Sequence, residues 1–407
     1  MMEKLATSSA TKALPTFLKF YKQQVHNILA ATSGACIVIH EDGDTVQYGD
    51  IDAALKIQLT VLDQSLYKDF VMGGSIGVAE AFIEGKWTTD NLPELIKLFA
   101  INKQQLDAIE EQVGLFSKIK RKAYAWVTQN TVSGSKKNIL AHYDLGNELY
   151  RHFLDDSMMY SSAVYPNEDA SLAQAQQYKL QQICEKLDLQ PGENVVEIGT
   201  GWGGFAIYAA KHYDVHVTTT TISDAQYEWA KQRIEKEGLS DKITLLNKDY
   251  RSLVGQFDKL VSIEMIEAVG HKYFPTFFNV CQQLLKPSGK MLIQAITIND
   301  QQYKDYLKGT DFIQRYIFPG GCLPAISELS KQVAEQTRGT IERIDDIGLD
   351  YAKTLSHWRE NFLQNWDTIA TYGFDERFKR LWLYYFGYCE GAFLARHTST
   401  IHLLIRT

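Results

Sequence analysis

The sequence predicts a chain of the α/β class: a doubly wound, mostly parallel sheet over its larger part, preceded by a smaller α+β unit. Two observations lead there. From Leu180 onward, β-branched apolar runs at 194–198, 215–220, 243–246, 259–263 and 290–296 alternate with helix-forming runs. Strands alternating with helices build a parallel sheet covered on both faces. The first of these strands ends in Gly199-Thr200-Gly201-Trp202-Gly203-Gly204 and the chain resumes as the helix-forming Phe205-Ala206-Ile207-Tyr208. A strand, a glycine turn and a helix make a cradle. The backbone approaches a ligand closely there, and the N–H groups of the helix's first turn face it.

The smaller unit comes first. Phe17, Leu18, Tyr21, Val25, Ile28 and Leu29 recur near helical spacing over 15–31. Strand-like runs follow at 35–39 and 45–48 around the turn Glu41-Asp42-Gly43-Asp44, and again at 57–62. Gly73-Gly74-Ser75-Ile76-Gly77 opens a helix over 78–83. No cluster of nucleophile, base and orienting group stands in this unit, so its expected work is lipid binding or assembly. From Pro93, which suits a first helical position, the reading is helical to Val127 and carries Lys118, Lys120, Arg121 and Lys122; Lys136 and Lys137 follow the breaker Thr131-Val132-Ser133-Gly134-Ser135. A basic run is either a solvated face or a grip on phosphate headgroups worth about 1 kcal/mol per cation, and charge alone leaves both open. The expected division is an N-terminal domain over 1–115, a basic linker over 116–137 and a catalytic domain over 138–407. Beyond Asp311 the chain reads as mostly helical and aromatic, with Trp382, Tyr384, Tyr385, Phe386 and Tyr388 close together.

Composition narrows the function. The 407 residues hold enough core for two domains, and 45% hydrophobic with 22% charged residues is ordinary for a soluble protein. A formal net charge of −7 lacks the basic footprint of a nucleic-acid partner. The cysteines Cys36, Cys184, Cys281, Cys322 and Cys389 stand apart with no C-x-x-C pair, so no disulfide framework and no metal site is expected. With no signal-type apolar core near the start and no run of the ~18 apolar residues that cross a bilayer, the expectation is a cytoplasmic protein.

Gly199, Gly201 and Gly204 also satisfy G-x-G-x-x-G, which brings a dinucleotide into question. A dinucleotide site wants an acid at the end of the next strand, about 20 residues on. Here that strand ends in Thr220-Thr221, and Asp224 arrives only inside the following helix. Glu197, just before the glycines, instead suits S-adenosylmethionine (SAM), whose methionine end lies near a carboxylate. SAM is expected over NAD. Glu267, Gln294 and Ile296 fall at the carboxyl ends of later strands, where ligands gather in sheets of this kind.

Six motifs then come in order: His142-Tyr143-Asp144-Leu145-Gly146-Asn147, Tyr160-Ser161-Ser162-Ala163, Glu197 to Gly204, Thr221-Ile222-Ser223-Asp224-Ala225-Gln226, Glu267-Ala268-Val269-Gly270 and Tyr316-Ile317-Phe318-Pro319-Gly320-Gly321-Cys322-Leu323-Pro324. With these the chain resembles the cyclopropane-fatty-acyl-phospholipid synthases and the related mycolic acid methyltransferases. The likeness runs from about Asn138 to Ala395 and is looser over the N-terminal unit. It implies a Rossmann-like, SAM-dependent methyltransferase domain with helical, aromatic acyl-binding insertions. The implied reaction methylates a cis double bond in a phospholipid acyl chain. A proton then leaves the new methyl group and a three-membered ring closes. Carried over by position, SAM contacts are implied at Tyr160, Ser161, Glu197, Gly199, Thr200, Gly201, Gly203, Thr221, Ile222 and Gln226, with Tyr250 and Arg251 by the adenine. Asp249 is as readily a helix N-cap as a cofactor contact.

The implied base is a bound bicarbonate, held by Glu267, by Ile296 through its backbone and by Tyr351. Ser162 stands where many bacterial members have Cys, and Gln294 where they have His. These departures leave the product open between a cyclopropane and a methyl or methylene branch. Cys389 matches a family cysteine, but ring closure needs no thiolate, so a buried structural thiol is the better reading. The implied partners are unsaturated phospholipid chains at the inner face of the membrane, which the protein would meet peripherally; nucleic acid is not among them and a homodimer is left open. Two rivals remain: a methyltransferase acting on a small soluble nucleophile, and an inactive lipid carrier. The intact glycine turn and Glu267 count against the carrier.

Overall fold

The computed structural model describes residues 15–103 and 146–407, and the chain folds as two units, one built from 15–90 with 102–103 and the other from 91–101 with 146–407. In the first, helical spacing gives α1 (Thr16–Ala30), which buries Val25 and Leu29. β1 (Cys36–Glu41) and β2 (Asp44–Gly49) form an antiparallel hairpin. Its turn residues Asp42 and Gly43 both take positive φ, 50° and 88°, the twist that suits the flanking strands. β3 (Lys56–Val61) pairs parallel with β1, and β4 (Trp87–Thr89), which the sequence reading lacks, closes the order β2-β1-β3-β4. α2 (Leu66–Ile83) begins well before the expected helix; the glycine run lies inside it, and Gly74 at φ +56° kinks the helix instead of opening it.

The second unit holds α3 (Leu92–Ile101), α4 (Asn147–Arg151), α5 (Leu172–Leu187), β5 (Asn194–Ile198), α6 (Gly204–Tyr213), β6 (His216–Thr221), α7 (Asp224–Lys236), β7 (Ile243–Asn247), β8 (Phe257–Ile263), α8 (Phe274–Leu284) and β9 (Leu285–Ile298). The expected alternation is present. There follow α9 (Asp300–Tyr306), α10 (Phe312–Tyr316), α11 (Ile326–Gln336), β10 (Thr340–Asp346), α12 (Gly348–Gln364), α13 (Trp366–Ala370), α14 (Glu376–Leu394) and β11 (Thr398–Arg406). Beyond Asp311 the chain is mostly helical as expected, and the last two strands are additions that the sequence reading lacks. A short apolar run such as Ile401-His402-Leu403-Leu404-Ile405 carries no helix or strand period of its own, and its place in the sheet decides it.

The sheet runs β10-β11-β9-β8-β5-β6-β7. β5 to β9 pair parallel, and β11 runs antiparallel to both its neighbours. Successive residues face opposite layers. Val195, Val217, Val261, Leu292 and Leu404 pack under α5 and α6, whereas Val196, Leu260, Met291, Ile293 and Leu403 pack under α8 and α11. Strand order reverses between β5 and β8, the crevice where such sheets bind ligands.

α3 belongs with the second unit, although it precedes the basic segment in sequence. Gly387 and Gly391 make room for it on α14: a Cβ at Gly391 would stand 2.5 Å from the Pro93 carbonyl oxygen. The basic segment 116–137 and the motif residues His142 to Leu145 lie outside the described residues.

Candidate active site

Three parallel strand ends meet at the reversal: β5 delivers the glycine turn, β8 delivers Glu264 and Glu267, and β9 carries Gln294 and Ile296. A Cβ at Gly199 (φ +104°) would press on Met265 at 3.1 Å, but one at Gly201 (φ +53°) would meet nothing within 4 Å. The turn is therefore backed by the exit of β8 and open on its other side, a shape that fits the close approach of a nucleotide cofactor. The N–H groups of Gly199 and Thr200 donate to the Thr220 carbonyl at 3.1 and 3.0 Å, and that of Gly203 donates to Thr200 at 2.9 Å. Glu197 is tied into the floor. It accepts from the Thr219 hydroxyl at 2.6 Å, which also contacts the Thr200 hydroxyl at 2.6 Å, and burial pushes its carboxyl up to about 8.

At the next strand end the Thr221 hydroxyl donates to Gln226 at 2.9 Å and accepts from the Ser223 N–H, with Ile222 half-buried between them. Asp224 is exposed and accepts from Asn247 at 2.6 Å. Beyond β7, Asp249 takes the N-cap role: it accepts from the Arg251 N–H at 2.9 Å and from its Nε at 2.8 Å. The Arg251 guanidinium lies 5.6 Å over the Tyr250 ring.

Opposite the glycine turn, residues 160–163 are held one by one. The Tyr160 hydroxyl donates to that of Tyr385 at 2.9 Å; the Ser161 hydroxyl accepts from the fully buried Lys179 at 2.8 Å; the Ala163 N–H donates to the Thr354 hydroxyl at 3.1 Å. The Ser162 N–H donates to Oε1 of Glu264 at 2.8 Å, while its hydroxyl is spent on the Ala163 carbonyl. Ser162 thus acts through its backbone, which makes the exchange of Cys for Ser of little consequence to this contact.

Glu264 is the residue the sequence reading missed, and it stands at the centre. Oε1 accepts from the Ser162 N–H and from the Gln294 amide, each at 2.8 Å, and Oε2 accepts from the Tyr351 hydroxyl at 2.9 Å. Its backbone N–H donates to the Gln294 carbonyl at 2.8 Å, and its φ is +47°, the left-handed region that non-glycine residues rarely occupy. Burial raises the Glu264 carboxyl, against the three donors and the charge of Lys179. Lys179, desolvated in turn, is lowered to about 8.

Glu267 sits one turn further on. Oε1 accepts from the Ile296 N–H, and Oε2 is buried with no hydrogen-bond partner among the described residues. Burial and the neighbouring Glu264 push this carboxyl up to about 8. Both acids lie deep in the fold yet keep accessible surface, as groups lining a cavity do. Aromatic rings stand beside them: Tyr160 lies 5.2 Å from Trp358 and 6.2 Å from Phe318, and Tyr351 stacks on Phe393 at 4.6 Å. Cys389 is half-buried, close enough to Tyr351 and Tyr385 to act on both electrostatically, and burial raises its thiol far above the ordinary range, which leaves it uncharged.

These contacts bear on bicarbonate, which the family resemblance implies. Ser162, Gln294 and Tyr351 all donate to Glu264, and the Ile296 N–H donates to Glu267. No donor of that set is left for a separate anion, which would also face two carboxyls. The residues present do not fit it.

Behind the site, the Gln294 side-chain oxygen lies 3.0 Å from His402 Nε2, and His402 Nδ1 lies 2.7 Å from the Lys186 ammonium. Lysine can only donate, so Nδ1 is the acceptor and Nε2–H the donor. This direction turns the NH2 of Gln294 toward Glu264. Lys186 also pairs with Asp345 at 2.9 Å.

Two of the missed residues left signals. Glu264 directly follows a strand, where the rule that pointed to Glu267 applies more strongly still. Lys179 occupies the apolar stripe of α5, between Ala175 and Ile183. His402 left none, because its strand was not recognised.

Sheet order, glycine turn and strand-end acids together define an S-adenosylmethionine-dependent methyltransferase. A family model, mycolic acid cyclopropane synthetase, matches residues 131–403, and the chain belongs to that family. The cyclopropane-fatty-acyl-phospholipid synthase of Escherichia coli (strain K12) is 37% identical over 353 residues, 85% of this chain and 87% of that protein. Tuberculostearic acid methyltransferase UfaA1 of Mycobacterium tuberculosis is 34% identical over 327 residues, covering 79% of this chain and 76% of its own. Among solved structures, mycolic acid cyclopropane synthase CmaA1 complexed with SAH and CTAB superposes with a TM-score of 0.62 at 28% identity, over 67% of this chain and 98% of its own.

Proposed function

We propose that the chain transfers a methylene unit from SAM to a cis double bond of an unsaturated phospholipid acyl chain and closes a cyclopropane ring. The observation that carries this reading is the pairing of two deep carboxyls with aromatic faces beside the glycine turn. A soluble nucleophile with its own lone pair needs no such surroundings. An alkene does, because attack by its π electrons leaves a cation on carbon, which π faces and carboxylate charge stabilise.

When bound, SAM supplies an electrophilic methyl group. Tyr160, Ser161, the turn from Glu197 to Gly203, Thr221, Ile222 and Gln226 hold it, and Tyr250 and Arg251 flank the adenine. Oε2 of Glu267, buried and without a hydrogen-bond partner among the described residues, is the group this reading gives to the positive charge, which would draw the raised carboxyl back to its ionised form. In this reading Tyr160 and Phe318 line the acyl chain's path, with the fully buried Trp358 behind Tyr160, and keep water from the cation. Similarity to a phospholipid synthase and to a protein solved with CTAB supports an amphiphilic substrate.

Among the described residues no helix is long and apolar enough to cross a membrane. In this reading the lipid is met at the cytoplasmic bilayer surface, with the basic residues of 116–137 as the grip; a homodimer is compatible with this. Mass spectrometry of membrane lipids from cells with and without the protein tests the reading. Unsaturated chains should gain one CH2 and resist mild hydrogenation afterwards. A gain of CH2 that hydrogenates readily would mean a methylene branch, and no lipid change alongside methylation of a soluble amine would overturn the proposal. SAM binding is tested by calorimetry against NAD.

A further inference from the structure

We propose that Glu264 is the base of this reaction, a carboxylate built into the chain at the place the family resemblance gives to bicarbonate. The proposal rests on the lipid-alkene reading above and names its proton acceptor. Bicarbonate and a glutamate carboxylate present the same face: two oxygens on a trigonal carbon, able to accept several hydrogen bonds and one proton. Of the groups the resemblance gives to the anion's cage, the Tyr351 hydroxyl donates to Glu264 at 2.9 Å, and from the two departing positions the Ser162 N–H and the Gln294 amide donate to it at 2.8 Å, while the Ile296 N–H goes to Glu267. A side chain that takes three donors around one point occupies the place of the ion it resembles.

The backbone agrees. Glu264 takes φ +47° immediately after β8 and is pinned there by the Gln294 carbonyl. Such a conformation is strained for a non-glycine residue and persists where the surroundings over-determine it. The fully buried Lys179 stands near enough to offset the carboxylate's charge. Tethering also removes a binding equilibrium, because the base is present in every turnover at high effective concentration.

The step balances. The alkene π pair bonds the incoming methyl carbon, the S–C pair stays with sulfur, and positive charge is left on the neighbouring alkene carbon. An oxygen of Glu264 takes one proton from the new methyl group, and the freed C–H pair forms the third ring bond. Glu264 is then a neutral acid and returns its proton to solvent before the next cycle.

The test has two arms. In the first, carbon-13 bicarbonate is titrated by NMR into the full chain with S-adenosylhomocysteine bound, so no lipid is needed. Wild type should not bind it. Glu264→Gly, which accepts a positive φ without strain and frees the three donors, should. In the second arm, ring formation is measured on vesicles of unsaturated phospholipid in buffer stripped of carbon dioxide. Wild type should be unaffected by the stripping. Glu264→Gly should lose roughly 10²–10⁴-fold, the usual worth of a positioned base, and recover along a bicarbonate series. Glu264→Gln should lose as much without recovery and shift product toward branched alkenes, with S-adenosylhomocysteine affinity kept in both variants. Bicarbonate binding to wild type, a bicarbonate requirement of wild type, or wild-type ring formation by Glu264→Gly in stripped buffer would each overturn the assignment. If either variant does not fold, the two wild-type measurements decide. A wild type that makes no ring from any unsaturated phospholipid would defeat the lipid reading instead, and the NMR arm would still report on Glu264.

Discussion

Among the groups through which acid should weaken this protein, one buried imidazole stands out. His402 is fully buried, and burial, followed by the charge of Lys186, lowers its folded pKa from 6.5 to about 3. Lys179 and Arg343 push the same way and Asp345 pushes back. A depressed pKa means that the unfolded chain binds the proton and the native chain does not. The corresponding stability is present above about pH 6.5 and is lost as pH falls toward 3. Between 6.5 and about pH 4 the loss accumulates at about 1.36 kcal/mol per pH unit, or about 3 kcal/mol in all. Glu197 and Glu267, both raised to about 8, act in the opposite sense, since native protonation favours the folded state as pH falls. They are removed by comparison with His402→Gln, whose amide can still donate to Gln294 and accept from Lys186 but does not titrate. Urea unfolding of both proteins from about pH 7 to about pH 4 should show wild type losing about 3 kcal/mol more than the variant. A stability difference that stays constant over that range would refute the reasoning, and with it the neutral imidazole that aims the Gln294 amide.

Other outcomes follow from the same geometry. Glu267→Gln should leave SAM affinity near wild type by calorimetry and cut the initial rate on unsaturated vesicles by roughly 10²-fold, the worth of one group aimed at developing charge. Tyr351→Phe removes one of three donors to Glu264, so it should raise the pH at which the rate limb appears; an unchanged pH–rate profile would detach Tyr351 from the base. Combined with Glu267→Gln, the loss should be less than the two taken separately, as for residues acting as one unit. Gly391→Ala would drive a Cβ to 2.5 Å from the Pro93 carbonyl oxygen and 2.7 Å from Ile96, and should cost about 1–3 kcal/mol of stability in thermal melts. If Lys118, Lys120, Arg121 and Lys122 hold headgroups, vesicle binding should rise with anionic lipid and fall with salt; neutral variants that bind equally well would make them an ordinary solvated basic run.

The parallel core was legible because its signals are local. Five β-branched runs separated by helix-length spacers leave few alternatives, and the glycine turn marks the ligand side. β10 and β11 were not legible, because Thr340–Asp346 is largely exposed and Thr398–Arg406 is a short run whose strand character comes from β9 beside it. The site divides in the same way. Glu267, Gln294, Ile296 and Tyr351 could be carried over from motifs, but what they hold could not. A motif names positions and says nothing of a neighbour that fills the space between them. Glu264 sits three residues before Glu267, yet its importance lies in donors from Ser162 and Tyr351, about a hundred positions away on either side.

β11 gives the molecule a timetable. It lies between β9 and β10, so two strands synthesised earlier have no native partner on their facing edges until it arrives. His402, on that strand, reaches Gln294 across 108 positions of chain. A growing chain can therefore form the glycine turn and the parallel strands well before the amide beneath Glu264 is aimed. The glycine turn and the aim of the Gln294 amide thus depend on parts of the sheet made at different times. Contacts this distant in sequence form late and slowly, and the unpaired edges exposed meanwhile are the stretch of surface most open to mispairing with another chain.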